Sequence, residues 1–328
     1  MKRPLFVAVA DAHCHPFPEF NTFDEYGGSS RVLATCRAIS ASIDFAEEHG
    51  VAWWSLGDLL HTKKEVSSYV FKDLRTALGR ASGPLHLIVG NHELPDKFST
   101  ATSLDWLLSE DSIYHYTQPM KVYHDLVDIV VFPVTHDLNA AKQKLYEIVC
   151  GFDPNRPRIL LGHGMIDGCA ADNGMRLSSP GMSPADLYFD AFNLVLFGDI
   201  HKHQQVHHNA WYAGALLPQN FGERDNPPGF IVVYEDLSWV RIPVAAPRFE
   251  YVQENATGSQ VTPSGEVVFQ RPDPKAIAQK ATQSAVAPRL EMNLTSLVSM
   301  LTAYMHANKP PVGVTPDAVL AEIQECLS

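Results

Sequence analysis

Five short motifs carry the side chains that could do chemistry. In order they are Asp11-Ala12-His13, Gly57-Asp58-Leu59-Leu60-His61, Gly90-Asn91-His92-Glu93, Gly162-His163-Gly164 and Gly198-Asp199-Ile200-His201. Each follows an apolar run that reads as a strand. Carboxylate, amide and imidazole donors gathered in this way suit two adjacent divalent cations. Such a pair, about 3.5–4 Å apart, clamps the attacking and leaving oxygens of a phosphate ester.

The residue types suggest roles. Asp11 and His13 reach one ion from the turn after the first strand, and Asp58 is the natural carboxylate to bridge two ions. Asn91 offers an amide oxygen and His163 an imidazole to the second ion. Asp199 and His201, two residues apart, converge from one turn. Mixed oxygen and nitrogen ligation without cysteine suits manganese, iron or zinc, and its many carboxylates lean towards manganese, with magnesium a further candidate. His92, beside Asn91, is the candidate general acid, since a histidine titrates near neutral pH. His61 is expected to orient a ligand or touch substrate rather than to bind metal.

A single Asp-x-His or Gly-His-Gly is usually a turn with satisfied polar groups. Five such motifs in order, each at a strand end, are not accidental. His15, His203, His207 and His208 lie near the motifs without belonging to them, and His203 is the strongest candidate for an extra ligand. His49, His86, His115, His124, His136 and His306 carry no signal.

Placing these side chains needs a scaffold. Leu5–Ala10, Val51–Leu56, Leu85–Val89, Asp128–Pro133, Arg158–Leu161 and Leu194–Phe197 read as strands. Helical patterns fall at Arg31–His49, with Val32, Cys36, Ile39 and Ile43 on one stripe, at Val66–Gly79 and at Asn139–Cys150. Strands spaced by helices of this length predict βαβ units in a buried α/β sheet, which binds its ligands at the C-terminal strand ends. From Ala210 short strands at Trp211–Gly214, Gly229–Tyr234 and Trp239–Ile242, with a loop at Gly222–Pro228, predict an antiparallel continuation of the sheet.

Composition sets outer bounds. The 328 residues are 45% hydrophobic and 19% charged, as in an ordinary globular protein. No apolar run approaches the roughly 18 residues of a membrane span. The basic start Met1-Lys2-Arg3 leads into a run that ends in Asp11-Ala12-His13, so a buried strand is expected there rather than a signal peptide. Five scattered cysteines without a CxxC pair fit a reducing, cytoplasmic setting. The net charge of −12 argues against a broad basic face for nucleic acid, although bound metal or a basic partner subunit would offset it. Residues 261–288, rich in Pro, Gln, Ser, Thr and Ala, read as a linker or extended arm. Beyond it Leu290 to Met305 and a helix capped at Thr315 give two short amphipathic helices that must dock on something.

The ordered motif set resembles the calcineurin-like metallophosphoesterase superfamily. Within it the chain is most similar to the SbcD-type DNA repair exonuclease subunits of bacteria and phages. That closer resemblance rests on Phe197-Gly198-Asp199-Ile200-His201-Lys202-His203-Gln204, on Tyr212 to Glu223 with its Tyr-x-Gly and Phe-x-Glu pieces, and on Gly229-Phe230. It implies a four-layer sandwich, two mixed β-sheets flanked by helices. It also implies Asp11, His13, Asp58, Asn91, His163, Asp199 and His201 as ligands of two divalent ions, and His92 as the acid. One departure is Asp199, where the family has a histidine in Gly-His-x-His. The other is a short C-terminal part with little room for a large DNA-capping domain. By the resemblance, 1–243 is the nuclease domain, 244–289 an arm, and 290–328 a helical element that binds an SbcC-type coiled-coil ATPase.

The expected activity is two-metal hydrolysis of DNA as exonuclease or endonuclease. The alternatives are a metallophosphoesterase of small molecules or phosphoproteins, favoured by the net acidity, and an inactive scaffold, disfavoured by the intact Asp58, Asn91 and His92. The helix Arg31–His49 could serve a homodimer, although nothing marks it.

Overall fold

The computed structural model describes residues 2–274 apart from 26, 27, 64, 96–100, 108–111, 172, 173, 180, 253–257 and 262–266. The chain alternates strands and helices as far as the third strand, and three further strands then precede the third helix. In order the elements are β1 (Pro4–Val9), α1 (Ser30–His49), β2 (Ala52–Ser55), α2 (Ser68–Leu78), β3 (Leu85–Ile88), β4 (Ile113–Tyr116), β5 (Met120–Val122), β6 (Asp128–Phe132) and α3 (Leu138–Cys150). Then come β7 (Arg158–His163), β8 (Leu194–Gly198), β9 (Gln204–His207), β10 (Ala210–Tyr212), β11 (Gly229–Tyr234), β12 (Trp239–Pro243), β13 (Arg248–Val252), β14 (Gly258–Val261) and β15 (Val267–Pro272).

Two six-stranded sheets result. Their orders are β12-β11-β1-β2-β3-β4 and β5-β6-β7-β8-β10-β9. The central pairs β1–β2, β2–β3, β6–β7 and β7–β8 are parallel, whereas β11 runs antiparallel to β1. The continuation after Ala210 is therefore split. β10 lies parallel to β8 in the second sheet, and the chain then crosses to the first sheet as β11 and β12.

The layers follow from the two-residue period of a strand. In β1, Val7 and Val9 face one core while Phe6 and Ala8 face another. In β2 the corresponding pair is Trp53 and Trp54. The first core lies under α1 and α2, and includes the predicted stripe Val32, Cys36, Ile39 and Ile43. The second lies between the sheets, where Ile159 and Leu161 of β7 meet Phe6, Trp54 and Ile231. Leu160, from the other face of β7, enters a third core with Ala141 and Leu145 of α3. Both sheets are covered on both faces, which explains the unbroken apolar runs. The architecture is the expected α/β sandwich of four layers.

Local capping fixes the helix ends. Ser29 accepts from Val32 N at the start of α1, and Gly50 closes it in the left-handed region at φ 63°. Ser67 caps α2 in the same way, which sets its start inside the predicted span.

The stretch read as an extended arm, 244–289, carries β13, β14 and β15 in a third sheet of order β13-β15-β14. Phe249 and Phe269 pack there with Phe221. The first compact unit runs from Met1 to Arg271. The proposed partner-binding element 290–328 lies outside the described residues.

Candidate metal centre

Every motif leaves the C-terminal end of a parallel strand. Asp11 and His13 follow β1, Asp58 follows β2, Asn91 and His92 follow β3, His163 ends β7, and Asp199 and His201 follow β8. The facing edges of both sheets thus deliver donors to one place. The turns are tight. Asp11, His13, Asp58 and Asp199 are four of the seven non-glycine residues with positive φ among the described residues. Such backbone costs on the order of 1–3 kcal/mol per residue and persists where its surroundings enforce it. A Cβ on Gly57 would lie 2.2 Å from His163 Nδ1, and one on Gly90 would lie 2.1 Å from Asp58 Oδ1, so neither position admits a side chain.

The structure brings these donors close together. His13 Nε2 lies 3.0 Å from His201 Nε2 and 3.7 Å from Asp58 Oδ2. His163 Nε2 lies 3.5 Å from Asp58 Oδ2, 3.8 Å from Asp199 Oδ1 and 3.0 Å from Asn91 Oδ1. Asp58 therefore sits between a His13 side and a His163 side. Ligand atoms of Asp11, His13 and His201 form one group close enough to hold a cation, and those of Asp11, Asp58 and His163 form another.

Three features fit divalent cations. Asp11 Oδ2 is buried without a hydrogen-bond partner, while Oδ1 accepts from Asp199 N at 2.9 Å. Burial raises the Asp11 pKa to about 6, as expected for a carboxylate whose charge lacks full compensation. The Asn91 amide oxygen faces only acceptors, among them Asp58 Oδ2 and Asp199 Oδ1. Turning the amide over would let its nitrogen donate to both; in the present orientation the three side chains gather their oxygens at one point, as ligands of a cation would. Third, the imidazoles are presented as ligands. His163 donates Nδ1–H to Leu56 O at 2.7 Å and His201 donates Nδ1–H to Glu223 Oε1 at 2.9 Å, so Nε2 of each is the atom turned inward.

The electrostatics agree. Burial and the neighbouring imidazoles keep His13 well below the usual histidine range. Burial opposes charge on both Asp58 and His163, yet their attraction holds Asp58 well below the carboxylate range and His163 well above its own.

His92 N donates to Asp58 Oδ1 at 2.9 Å, and its Nδ1–H donates to the His61 carbonyl at 2.5 Å, leaving Nε2 free. His61 thus orients a neighbour through its main chain. Its ring stacks on His92 at 4.7 Å, approaches His13 at 5.1 Å and lines the cleft. His203 belongs to no ligand group; it donates Nδ1–H to Tyr212 O and packs edge-on against Trp239.

Two carboxylates had no role in the sequence reading. Glu93 is fully buried and accepts from Asp58 N, Leu60 N and Gly90 N, tying two metal loops together. Burial, reinforced by Asp58, raises its pKa to about 8. Glu223 is buried and also accepts from Gln219 N and from Asn220 Nδ2. The signal for Glu93 was a glutamate inside a donor-bearing motif directly after an apolar strand; for Glu223 it was the Phe-x-Glu segment itself. Tyr212 holds the loop after His163, donating to Gly164 O and accepting from Ile166 N.

Two clefts flank the centre, and Asn91 and Asp199 border both. One, of about 440 Å³, runs past His13, His61 and His92 towards Phe17, Arg31 and Gln219. The other, of about 350 Å³, is walled by Phe132, Val134, Leu138, Met165 and Met182.

The donor set and its place at the strand ends suit divalent cations. Residues 4–203 match the family described as calcineurin-like phosphoesterase, and the chain belongs to that family. Among curated proteins it is similar to protein R555 of Acanthamoeba polyphaga mimivirus, which is uncharacterized, with 28% identity over 188 residues, 51% of this chain and 13% of that one. Protein 244L of Invertebrate iridescent virus 6 is 21% identical over 198 residues, 55% of this chain and 63% of that one. The chain thus spans less than two thirds of either relative. Among solved structures, a dimetal phosphatase from Danio rerio aligns with TM-score 0.49 and 13% identity, over 71% of this chain and 93% of that one. No helix of the described residues is long and apolar enough to cross a membrane.

Proposed function

We propose that the protein is a two-metal phosphodiesterase that cuts DNA, as the nuclease subunit of an SbcC-type ATPase complex, with manganese as its metal. The observation that carries the diester reading is the pair of clefts meeting at Asn91 and Asp199. A diester has two substituents to house, whereas a phosphomonoester has one. The DNA reading is supported by the resemblance of the Phe197–Gln204 and Tyr212–Glu223 segments. The partner reading concerns residues 290–328.

In this reading Asp11, His13, Asp58, Asn91, His163, Asp199 and His201 would hold the ions. When bound, the ions supply charge stabilisation at the attacking and leaving oxygens and an activated nucleophile. The protein's own groups do the rest. Glu223 fixes the tautomer and direction of His201, and the Leu56 carbonyl does the same for His163. His92 has committed Nδ1–H to His61, so Nε2 is the atom that delivers a proton to the leaving oxygen. Glu93 keeps the Asp58 and Gly90 turns in register.

A chelator-stripped sample reloaded with manganese should hydrolyse bis(p-nitrophenyl) phosphate and short DNA in preference to p-nitrophenyl phosphate. Asp58→Ala should lose bound metal and lower activity by more than about 100-fold. Ready monoester hydrolysis with inert diesters sinks the proposal. The net charge of −12 favours a second reading, a small-molecule diester as substrate. Cleavage of small diesters with DNA left intact, even beside a cognate ATPase, would select it. Co-elution with that ATPase, lost on removing 290–328, tests the partnership.

A further inference from the structure

Arg31 is the only arginine or lysine among the residues lining the first cleft. It is half-buried, and its guanidinium is held by neutral oxygens. NH1 donates to Glu19 O at 3.2 Å, and NH2 donates to Gln219 O at 2.9 Å and Gln219 Oε1 at 2.8 Å. No carboxylate lies within ion-pair distance of it among the described residues; Glu223 and Glu19 act on it only at longer range. The guanidinium also lies over the Phe17 ring at 4.4 Å. A fixed cation with neutral partners, facing a cleft in a chain of net charge −12, is built for an anion that arrives from outside.

Its distance from the reacting centre says which anion. Arg31 stands behind Phe17, whose ring lies 4.5 Å from that of His61, and His61 in turn adjoins His13 at 5.1 Å. On this side Phe17 and His61 stand between the guanidinium and His13; on the other, Gln219 and Glu223 stand between it and His201. The guanidinium is set back from the scissile phosphoryl group and faces the cleft that a substituent of the ester would occupy.

We propose that Arg31, braced by Phe17 and Gln219, binds a second phosphate of the substrate beyond the one that is cut, and so selects substrates carrying two phosphates. This rests on the phosphodiesterase reading. The second phosphate is the neighbouring one in a nucleic-acid strand or the terminal one of a phosphorylated dinucleotide, and the same side chain serves both.

Steady-state kinetics test it with three substrates. These are bis(p-nitrophenyl) phosphate, a thymidine dinucleotide bearing a terminal phosphate on either end, and the same dinucleotide without it. Arg31→Met should lower kcat/KM on a terminally phosphorylated dinucleotide about 10- to 100-fold, mainly through KM, the usual loss for one charged hydrogen-bonding partner. On the other two substrates it should stay within about twofold. Removing the terminal phosphate should cost the native enzyme a similar factor, and the two losses should not add. Arg31→Lys should recover part of the effect, and an unchanged thermal midpoint would exclude misfolding. Equal losses on all three substrates, or additive losses, overturn the proposal, since Arg31 would then act through the Gln219 loop. A long strand with a methylphosphonate next to the cut separates the two phosphate sources. If the native enzyme cleaves none of the diesters, the phosphodiesterase reading itself fails.

Discussion

Glu223 makes the sharpest test of a single residue. It touches no expected metal position, yet its carboxylate takes the Nδ1–H of His201 and, in the same grip, Gln219 N and Asn220 Nδ2. Partners of this kind set ring direction and ligand basicity. Glu223→Gln should weaken manganese binding by about 10- to 100-fold in a calorimetric titration, with the thermal midpoint of the metal-free protein little changed. Unaltered affinity would show that His201 needs no such support. The ligand candidates themselves were legible because each sits in its own motif. Glu223 and Glu93 were not, because their partners come from afar in the chain: Glu93 serves Asp58, 35 residues earlier, and Glu223 serves His201, 22 residues earlier. Only the folded chain reveals such a pairing.

At the level of elements, strand and helix positions were readable wherever burial was two-sided or a stripe was continuous, as in β1, β7, β11 and α1. β4, β5 and β9 escaped notice because they are short and partly exposed, with no clean alternation. Strands in the region read as an arm escaped because Pro, Gln and Ser dominate its composition while only a few aromatics, such as Phe249 and Phe269, do the packing. His86, which carried no signal, stacks between Trp54 at 4.0 Å and Tyr114 at 5.2 Å, its partners across β2, β3 and β4. Burial lowers its pKa to about 4. The folded value lies below the unfolded one, so the stability it confers is complete above about pH 6.5 and is lost as pH falls towards 4. The loss amounts to at most about 3 kcal/mol. In metal-free protein the thermal midpoint of His86→Phe should therefore fall less between pH 6.5 and 4.5 than that of the parent. At neutral pH the variant should be about 1 kcal/mol less stable, because the Tyr116 hydroxyl loses its 2.7 Å partner. Parallel midpoint-against-pH curves would refute this account of the ladder.

Over the whole molecule, charge constrains how a polyanion can reach the centre. The chain has 37 acidic residues against 25 lysines and arginines, and the first cleft offers a single cation, Arg31. Affinity for nucleic acid grows with the number of phosphates neutralised, and each one adds about −0.7 to the salt slope on a single strand. With one phosphate engaged, log kcat/KM for a short single strand should fall with log salt at a slope of about −0.7, far shallower than for a protein with a basic face. Arg31→Met should flatten it further, while bis(p-nitrophenyl) phosphate should show almost no slope in either protein. The motif set marks where an ester would be cut but says nothing of this balance, which depends on how 328 residues distribute their charge. A basic ATPase partner would contribute phosphate contacts of its own and steepen the slope on assembly. A slope near −4 for the isolated chain would instead place several more cations along the strand, and Arg31 could not then be its sole electrostatic anchor.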